Sequence, residues 1–408
     1  MRILMHLRPD WESLHGGDLV QLQRWAVWLQ ELGLDVEVSD APQPDLRGVD
    51  LVHFHNLGRA FAHWDVLKHC RRAGVPAVLT PLYWPTDEYE RLGRPGWQGL
   101  ASRFLPAGWR ERLKTAVRLA PRDRQAAWRA LRTDALQRIR AFVSRFDGLV
   151  VNSLAEVEAL QELTAKLPPT FIVHSGVDAF YWSPDRSLWA LEGDWLLPNG
   201  QRRRTPLSEF EDVSLPPQRE GVLCVARFDP QKAQHRLIQA LRPLNLPLTL
   251  AGADNPNYPT YRAYCQRLAG PQVRILPRVS PRELKALFHG CQVHVLASWY
   301  ETTGLTALEA GCCGARSVVA ARGGTRDYAE RLAWYAHPRE PVSVRRAVER
   351  ALAAPTTPDL LSRVRQRFTW ELSAIKLARA YRAVLEGRPS AGFTSSAASP
   401  SGSFPSAS

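Results

Sequence analysis

Short apolar runs alternate with stretches of helical periodicity along this chain, and the whole scheme occurs twice. In the first half, Ile3–Leu7, Val36–Val38, Leu51–His55, Ala77–Leu82, Gly148–Asn152 and Phe171–Val173 are bounded by turn residues and are too short for buried helices, so they read as strands. Helical spacing fills 17–32, 60–73 and 154–163. The second half places strands at Val222–Ala226, Leu248–Ala251, Val273–Leu276, Val293–Ala297, Ser317–Ala320 and Trp334–Ala336, with helices near 233–241, 258–268, 281–290, 304–313, 341–353 and 359–367. Strand–helix alternation predicts a mostly parallel sheet wrapped by helices, because parallel neighbours need a long crossover between them. The expectation is an α/β chain of two doubly wound Rossmann-like domains, 1–180 and 181–370. Such sheets bind ligands beyond the carboxyl ends of their strands, and two facing sheets put that crevice between the domains.

Composition narrows the class. With 408 residues, 45% of them apolar, the chain can bury two cores, which excludes disorder throughout. No run approaches the roughly 18 apolar residues of a membrane span, and the opening Met1–Asp10 is cut by charges, so the expected location is cytoplasmic. Six cysteines without a Cys-x-x-Cys pair argue against a disulfide framework or a zinc cage. The polar, proline-rich stretch 183–220 reads as a long linker, and 389–408, nearly all Ser, Ala, Pro and Gly, as a disordered tail.

The net charge of +13 is concentrated: residues 91–145 hold fourteen Lys and Arg against three acidic residues, an excess of eleven. Apolar residues interleave there at helical spacing, broken near Pro106 and Pro121, so the segment reads as amphipathic basic helices. It is either a solvated face or a patch that docks on an anionic membrane surface, which would add a peripheral location to the cytoplasmic one. No nucleic-acid reader module is recognisable, so no nucleic-acid partner is expected.

Three motifs fall at expected strand ends. Gly16-Gly17 follows the first strand and opens the first helix, where backbone amides and a positive helix terminus can approach an anion; a plain tight turn would look the same. Arg227 and Lys232 leave the first strand of the second half, and a guanidinium fork with a point-charge ammonium suits a diphosphate, although an exposed loop also carries such charges. Glu301-Thr302-Thr303-Gly304-Leu305 leads into a helix containing Glu309. A carboxylate inside a helix of Leu, Ala, Cys and Gly calls for a hydrogen-bonding partner, and a ligand hydroxyl meets that need.

In this order of elements, the paired glutamates resemble those of the retaining GT-B glycosyltransferases of glycosyltransferase family four, also called glycosyl transferases group 1. The likeness runs from Gly16-Gly17 through His53-Phe54-His55, His174-Ser175-Gly176-Val177-Asp178, Arg227 and Lys232 to Phe368-Thr369-Trp370-Glu371 and a final helix with Tyr381. It implies a nucleotide-diphosphate sugar donor in the interdomain cleft and transfer of a hexose, with retention, to a glycan, lipid-linked or small-molecule acceptor. Arg227 and Lys232 would bind the diphosphate, completed by the amides around Thr303, Gly304 and Leu305 and by the Gly16-Gly17 turn. Glu309 would take the ribose hydroxyls, Glu301 would orient the donor sugar, and the helix 371–388 would cross back onto the first domain. No cofactor is expected. Fixed cations and helix amides can meet the charge on the leaving group without a metal, and the chain has no Asp-x-Asp. Many relatives carry a histidine where this chain has Leu82, so Tyr83 or His55 assists instead, or the chain works without it, or catalysis is impaired. A nucleotide-sugar epimerase or phosphorylase on the same fold, and a non-catalytic binder of sugar nucleotides or polyanions, are the competing readings.

Overall fold

The computed structural model describes residues 1–7, 16–95, 135–179, 181–183, 194–196, 202–204, 218–355 and 359–387, with isolated positions between 96 and 134. Most of the basic segment 91–145 and of the linker 183–220, and all of the tail 389–408, lie outside the described residues.

The first sheet holds β1 (Arg2–His6), β2 (Asp35–Ser39), β3 (Leu51–His55), β4 (Ala77–Thr80), β5 (Gly148–Val151) and β6 (Thr170–Ile172), all parallel, in the order β2-β1-β3-β4-β5-β6. Around it lie α1 (Gly17–Glu31), α2 (Ala60–Ala73), α3 (Asp87–Leu92), α4 (Ala135–Val143) and α5 (Leu154–Leu163). Strand β4 ends at Thr80, two residues short of the sequence expectation. Pro81 has no N–H for the ladder, and Leu82 adopts φ +50°, outside the extended region. Within the expected linker, β7 (Asp194–Leu196) and β8 (Arg202–Arg204) form a short antiparallel hairpin.

The second sheet holds β9 (Val222–Val225), β10 (Leu248–Ala251), β11 (Val273–Leu276), β12 (Val293–Leu296), β13 (Arg316–Ala320) and β14 (Trp334–Ala336), all parallel, in the order β11-β10-β9-β12-β13-β14. Its helices are α6 (Gln234–Leu241), α7 (Tyr261–Leu268), α8 (Pro281–Gly290), α9 (Leu305–Cys312), α10 (Thr325–Ala329), α11 (Pro341–Leu352) and α12 (Leu360–Arg367). Both sheets are buried on both faces. Ile3 and Met5 of β1 enter one core and Leu4 the other, while Val222 and Cys224 of β9 enter a different core from Leu223 and Val225.

The last helix, α13 (Trp370–Leu385), belongs to the first core. Trp370, Ala374, Leu377 and Tyr381, on one helical face, pack with Leu22 and Trp25 of α1, and the Trp25 indole N–H donates to Ser373 Oγ at 2.7 Å. The chain therefore passes from the first domain to the second and back.

Candidate active site in the interdomain cleft

Strand order fixes where a ligand can sit. In the first sheet the order reverses between β1 and β3, and in the second between β9 and β12; crevices open at such switch points. Gly16 follows β1, Arg227 follows β9 and Glu301 follows β12, so all three motifs lie at switch points.

The structure brings the two glycine turns together. A Cβ added to Gly17 would lie 3.5 Å from Leu305 Cδ1, and one on Gly16 would lie 4.0 Å from Arg227 Nη1. The amino ends of α1 and α9 thus face each other across the cleft with the Arg227 guanidinium beside them. Gly304 caps α9 at φ +78°, a conformation that favours glycine, and Thr325 and Leu296 side chains crowd the place of its missing Cβ. Two helix amino termini and one guanidinium suit an anion, although the Asp18 carboxylate shares the turn, its Oδ1 2.7 Å from the place of a Gly16 Cβ and its Oδ2 accepting from Asn56 Nδ2 at 3.0 Å.

Lys232 closes the short turn Pro230–Lys232 after β9, whose amino end is capped by Asp229 accepting from Gln231 N–H at 2.9 Å. Asp229 also lies 3.6 Å from Arg227 Nη2. Lys232 Nζ meets Glu301 Oε1 at 2.6 Å, so two residues read separately from the sequence form one ion pair. Glu301 is held from behind: its N–H donates to the Arg322 carbonyl at 3.2 Å and its carbonyl accepts from Gly324 N–H at 2.8 Å. A Cβ on Gly323 would lie 1.8 Å from the Glu301 carbonyl oxygen, so only glycine permits this approach.

Thr303 points elsewhere. Its hydroxyl is 3.2 Å from Ser175 Oγ and is buried at the passage between the domains, leaving the backbone of 303–305 as that segment's contribution to the cleft. Glu309 makes no side-chain hydrogen bond to a described residue. Desolvation, reinforced by the Asp178 carboxylate and opposed by Arg24, pushes its carboxyl up to about 8. Arg24 itself reaches from α1 to Asp178 at 2.8 Å. This link between α1, the interdomain passage and Glu309 was not readable from the sequence, because nothing in a lone Arg on a helix marks a partner 154 positions away.

The histidines of β3 stand apart from these charges. His53 is bonded at both nitrogens, Nδ1 to Tyr381 Oη at 2.6 Å and Nε2 to Thr80 Oγ1 at 2.7 Å, and stacks on Trp25. Burial, then the neighbouring His55 ring, lowers its pKa well below the usual imidazole value, so it is a neutral structural group. Burial also lowers His55 to about 3, and neither of its nitrogens has a hydrogen-bond partner among the described residues. At the loop after β4, the Leu82 position carries no titratable group. The loop is held instead by Glu156, whose buried carboxylate accepts Tyr83 N–H and Asn152 N–H, each at 2.8 Å.

Two parallel switch-point sheets facing one charged cleft define the GT-B fold. Solved structures agree: sucrose-phosphate synthase from Thermosynechococcus elongatus superposes with a TM-score of 0.65 at 17% identity over 95% of this chain and 99% of its own, and Anabaena HepE in complex with UDP and glucose with 0.62 at 16% over 94% and 100%. Residues 208–367, within the second domain, match the family model of glycosyl transferases group 1. D-inositol 3-phosphate glycosyltransferase of Stackebrandtia nassauensis is 32% identical over 45% of this chain and 40% of its own length, and that of Rhodococcus erythropolis is 25% identical over 90% and 86%. The chain spans 39 to 53% of the length of three such curated relatives, those of Mycobacterium ulcerans, Stackebrandtia nassauensis and Salinispora tropica.

Proposed function

We propose that this chain is a glycosyltransferase that moves a hexose from a nucleoside-diphosphate sugar to an acceptor with retention of anomeric configuration and without a metal. The observation that carries the reading is the meeting of two helix amino ends with Arg227, on the domain that also carries the Lys232–Glu301 pair. Cleavage of the glycosidic bond leaves negative charge on the departing diphosphate and an oxocarbenium-like sugar. Arg227, the amides of 304–305 and the Gly16-Gly17 turn face the first charge, and Lys232 adds a mobile point charge within reach of it. In this reading Glu301, ion-paired with Lys232, orients the sugar, and Glu309 accepts hydrogen bonds from the ribose hydroxyls.

HepE holds UDP and glucose in its structure, which favours a uridine nucleotide sugar as the first donor to try. Several relatives and neighbours are named for phosphorylated acceptors or products, including inositol 3-phosphate, sucrose phosphate and trehalose 6-phosphate. A phosphorylated sugar or polyol therefore heads the acceptor panel, ahead of glycan and lipid-linked acceptors. No helix among the described residues is long and apolar enough to cross a membrane. A cytoplasmic location, with docking on an anionic surface through 91–145, completes the proposal.

Thermal shift against a panel of nucleotide sugars and free nucleoside diphosphates, followed by transfer assays with and without chelator, tests it. Donor-dependent stabilisation with chelator-resistant transfer is expected. Tight binding without turnover on any acceptor would instead favour a sugar-nucleotide binder, and donor conversion without acceptor an epimerase.

A further inference from the structure

The segment after β4 does more than follow the sheet. It leaves the first domain at Leu82–Tyr83, tied down by Glu156, and forms α3, which lies against the second domain. Tyr89 of α3 is buried with Trp299 and approaches the Tyr300 ring, and its hydroxyl lies 3.4 Å from that of Tyr258. Arg236 donates to the Leu92 carbonyl at 2.9 Å, capping the negative end of the helix with a cation from the other domain. A Cβ on Gly93 would fall 2.5 Å from Tyr89 and 2.6 Å from Trp299, so this packing needs a glycine there. At the opposite end Glu88 is ion-paired with Arg322, and His337 Nε2 lies 3.5 Å from the same carboxylate. His337 Nδ1 accepts Arg339 N–H at 3.1 Å, so the ring proton of the neutral form sits on Nε2, facing Glu88.

These contacts lead to the reacting end of the cleft. Arg322 immediately precedes Gly323, and its carbonyl receives the Glu301 N–H. We propose that α3 is a clamp delivered by the first domain to the donor-sugar subsite, and that Glu88 is a positioning residue that holds Arg322, and through its backbone Glu301, in the geometry needed for transfer. The inference rests on the functional reading above. Arg227 is outside the clamp, whereas Lys232 is bound to Glu301 and adjoins Ala233, which is buried with Tyr89 and Trp299, so α3 is assigned to the end of the site that holds the Lys232–Glu301 pair.

The test uses the full chain with Glu88→Ala, Arg322→Ala, the double variant and Glu88→Asp. Four quantities are followed: steady-state kinetics with the donor found by the panel, the dissociation constant of UDP, the melting temperature, and amide hydrogen exchange of 300–303. Each single alanine variant is expected to lower kcat about fivefold, the double variant no further, and Glu88→Asp to restore part of it. The dissociation constant of UDP is expected to change less than kcat, because Arg227 and the two helix amino ends are untouched. Exchange at 300–303 should quicken in both single variants while melting temperatures hold. Wild-type kcat in Glu88→Ala, or single losses that multiply in the double variant, overturns the proposal. If the wild-type chain transfers no sugar, the functional reading fails and exchange alone decides: unchanged protection of 300–303 in Glu88→Ala overturns the clamp, and faster exchange upholds its structural link to Glu301.

Discussion

Among the described residues the two domains meet at the passage between them, at α3 and where α1 approaches α9, and the first two contacts differ in kind. At the passage between the domains the groups are buried and mostly neutral: Tyr328 Oη accepts Ser175 N–H and donates to the Asn152 carbonyl, both at 2.9 Å, and Ser175 Oγ meets Thr303. Gly176 lies so close to Trp370 that a Cβ would fall 2.4 Å from its backbone nitrogen. At α3, by contrast, the ion pair is substantially exposed, with Arg322 at 50% and Glu88 at 24% of their full side-chain surface. Buried neutral hydrogen bonds are costly to break because each opened group stays unpaired, whereas water readily replaces an exposed ion pair. The passage is a joint of buried groups, whereas α3 joins the buried Tyr89–Trp299 packing to an exposed ion pair that can open. The proposed donor site lies between them.

The largest expected effect concerns neither contact. If the charges between them carry the chemistry, Lys232→Ala and Arg227→Ala lower kcat/KM by about 100-fold or more, on the order of 3 kcal/mol, with the melting temperature nearly unchanged. Near-wild-type kinetics in both would mean that the contacts, and not the cations, define the site. Next comes Tyr328→Phe, which strands a buried N–H and a buried carbonyl and is expected to cost about 2 kcal/mol of stability in chemical denaturation. A loss no larger than that of Glu88→Ala would erase the distinction between joint and clamp.

The joint and the donor charges were partly legible in the sequence; the clamp was not. Arg227, Lys232, Glu301 and Gly304 stand out because charges and a left-handed glycine at the ends of apolar strands have few structural uses. The strand pattern was equally readable, since residues buried on both faces leave uninterrupted apolar runs such as Val222–Val225. Helix α3 is a six-residue helix of Asp, Glu, Tyr, Glu, Arg and Leu, whose composition suits any exposed turn. Its meaning comes from Arg236, Trp299, Arg322 and His337, all more than 140 positions away. Leu82 shows the same limit: the sequence marks the departure from the family's histidine, but not the φ of +50° or the Glu156 carboxylate that holds the following amide.

A smaller effect should appear on varying pH. Burial raises Glu309 to about 8 and Glu156 to about 7, above the ordinary glutamate value of 4.5. A carboxyl raised on folding binds its proton more tightly in the folded state, so stability falls as pH rises from about 4.5 through the folded-state values. The melting temperature of the ligand-free chain is therefore expected to decline between about pH 5 and 8, and Glu309→Gln to flatten part of that slope. Nucleotide affinity should move the opposite way in the wild type, rising toward pH 8 as Glu309 ionises to accept ribose hydroxyls. An identical pH slope in Glu309→Gln, or nucleotide binding that does not depend on pH, would separate Glu309 from the donor.

The smallest effect bears most directly on the two contacts. Raising salt to about 0.5 M shortens the screening length to roughly 4–5 Å, which weakens an exposed pair such as Glu88–Arg322 and leaves the buried hydrogen bonds around Tyr328 nearly untouched. The ion pair is worth no more than about 1 kcal/mol, so amide exchange at 87–93 is expected to quicken only about threefold while exchange at 174–176 stays constant. The apolar contact of Tyr89 with Trp299 strengthens slightly in salting-out conditions, so sodium chloride is preferable to sulfate as the probe. Equal acceleration at both segments would show that the domains separate as one cooperative event, and the division into joint and clamp would then describe geometry without energetic content.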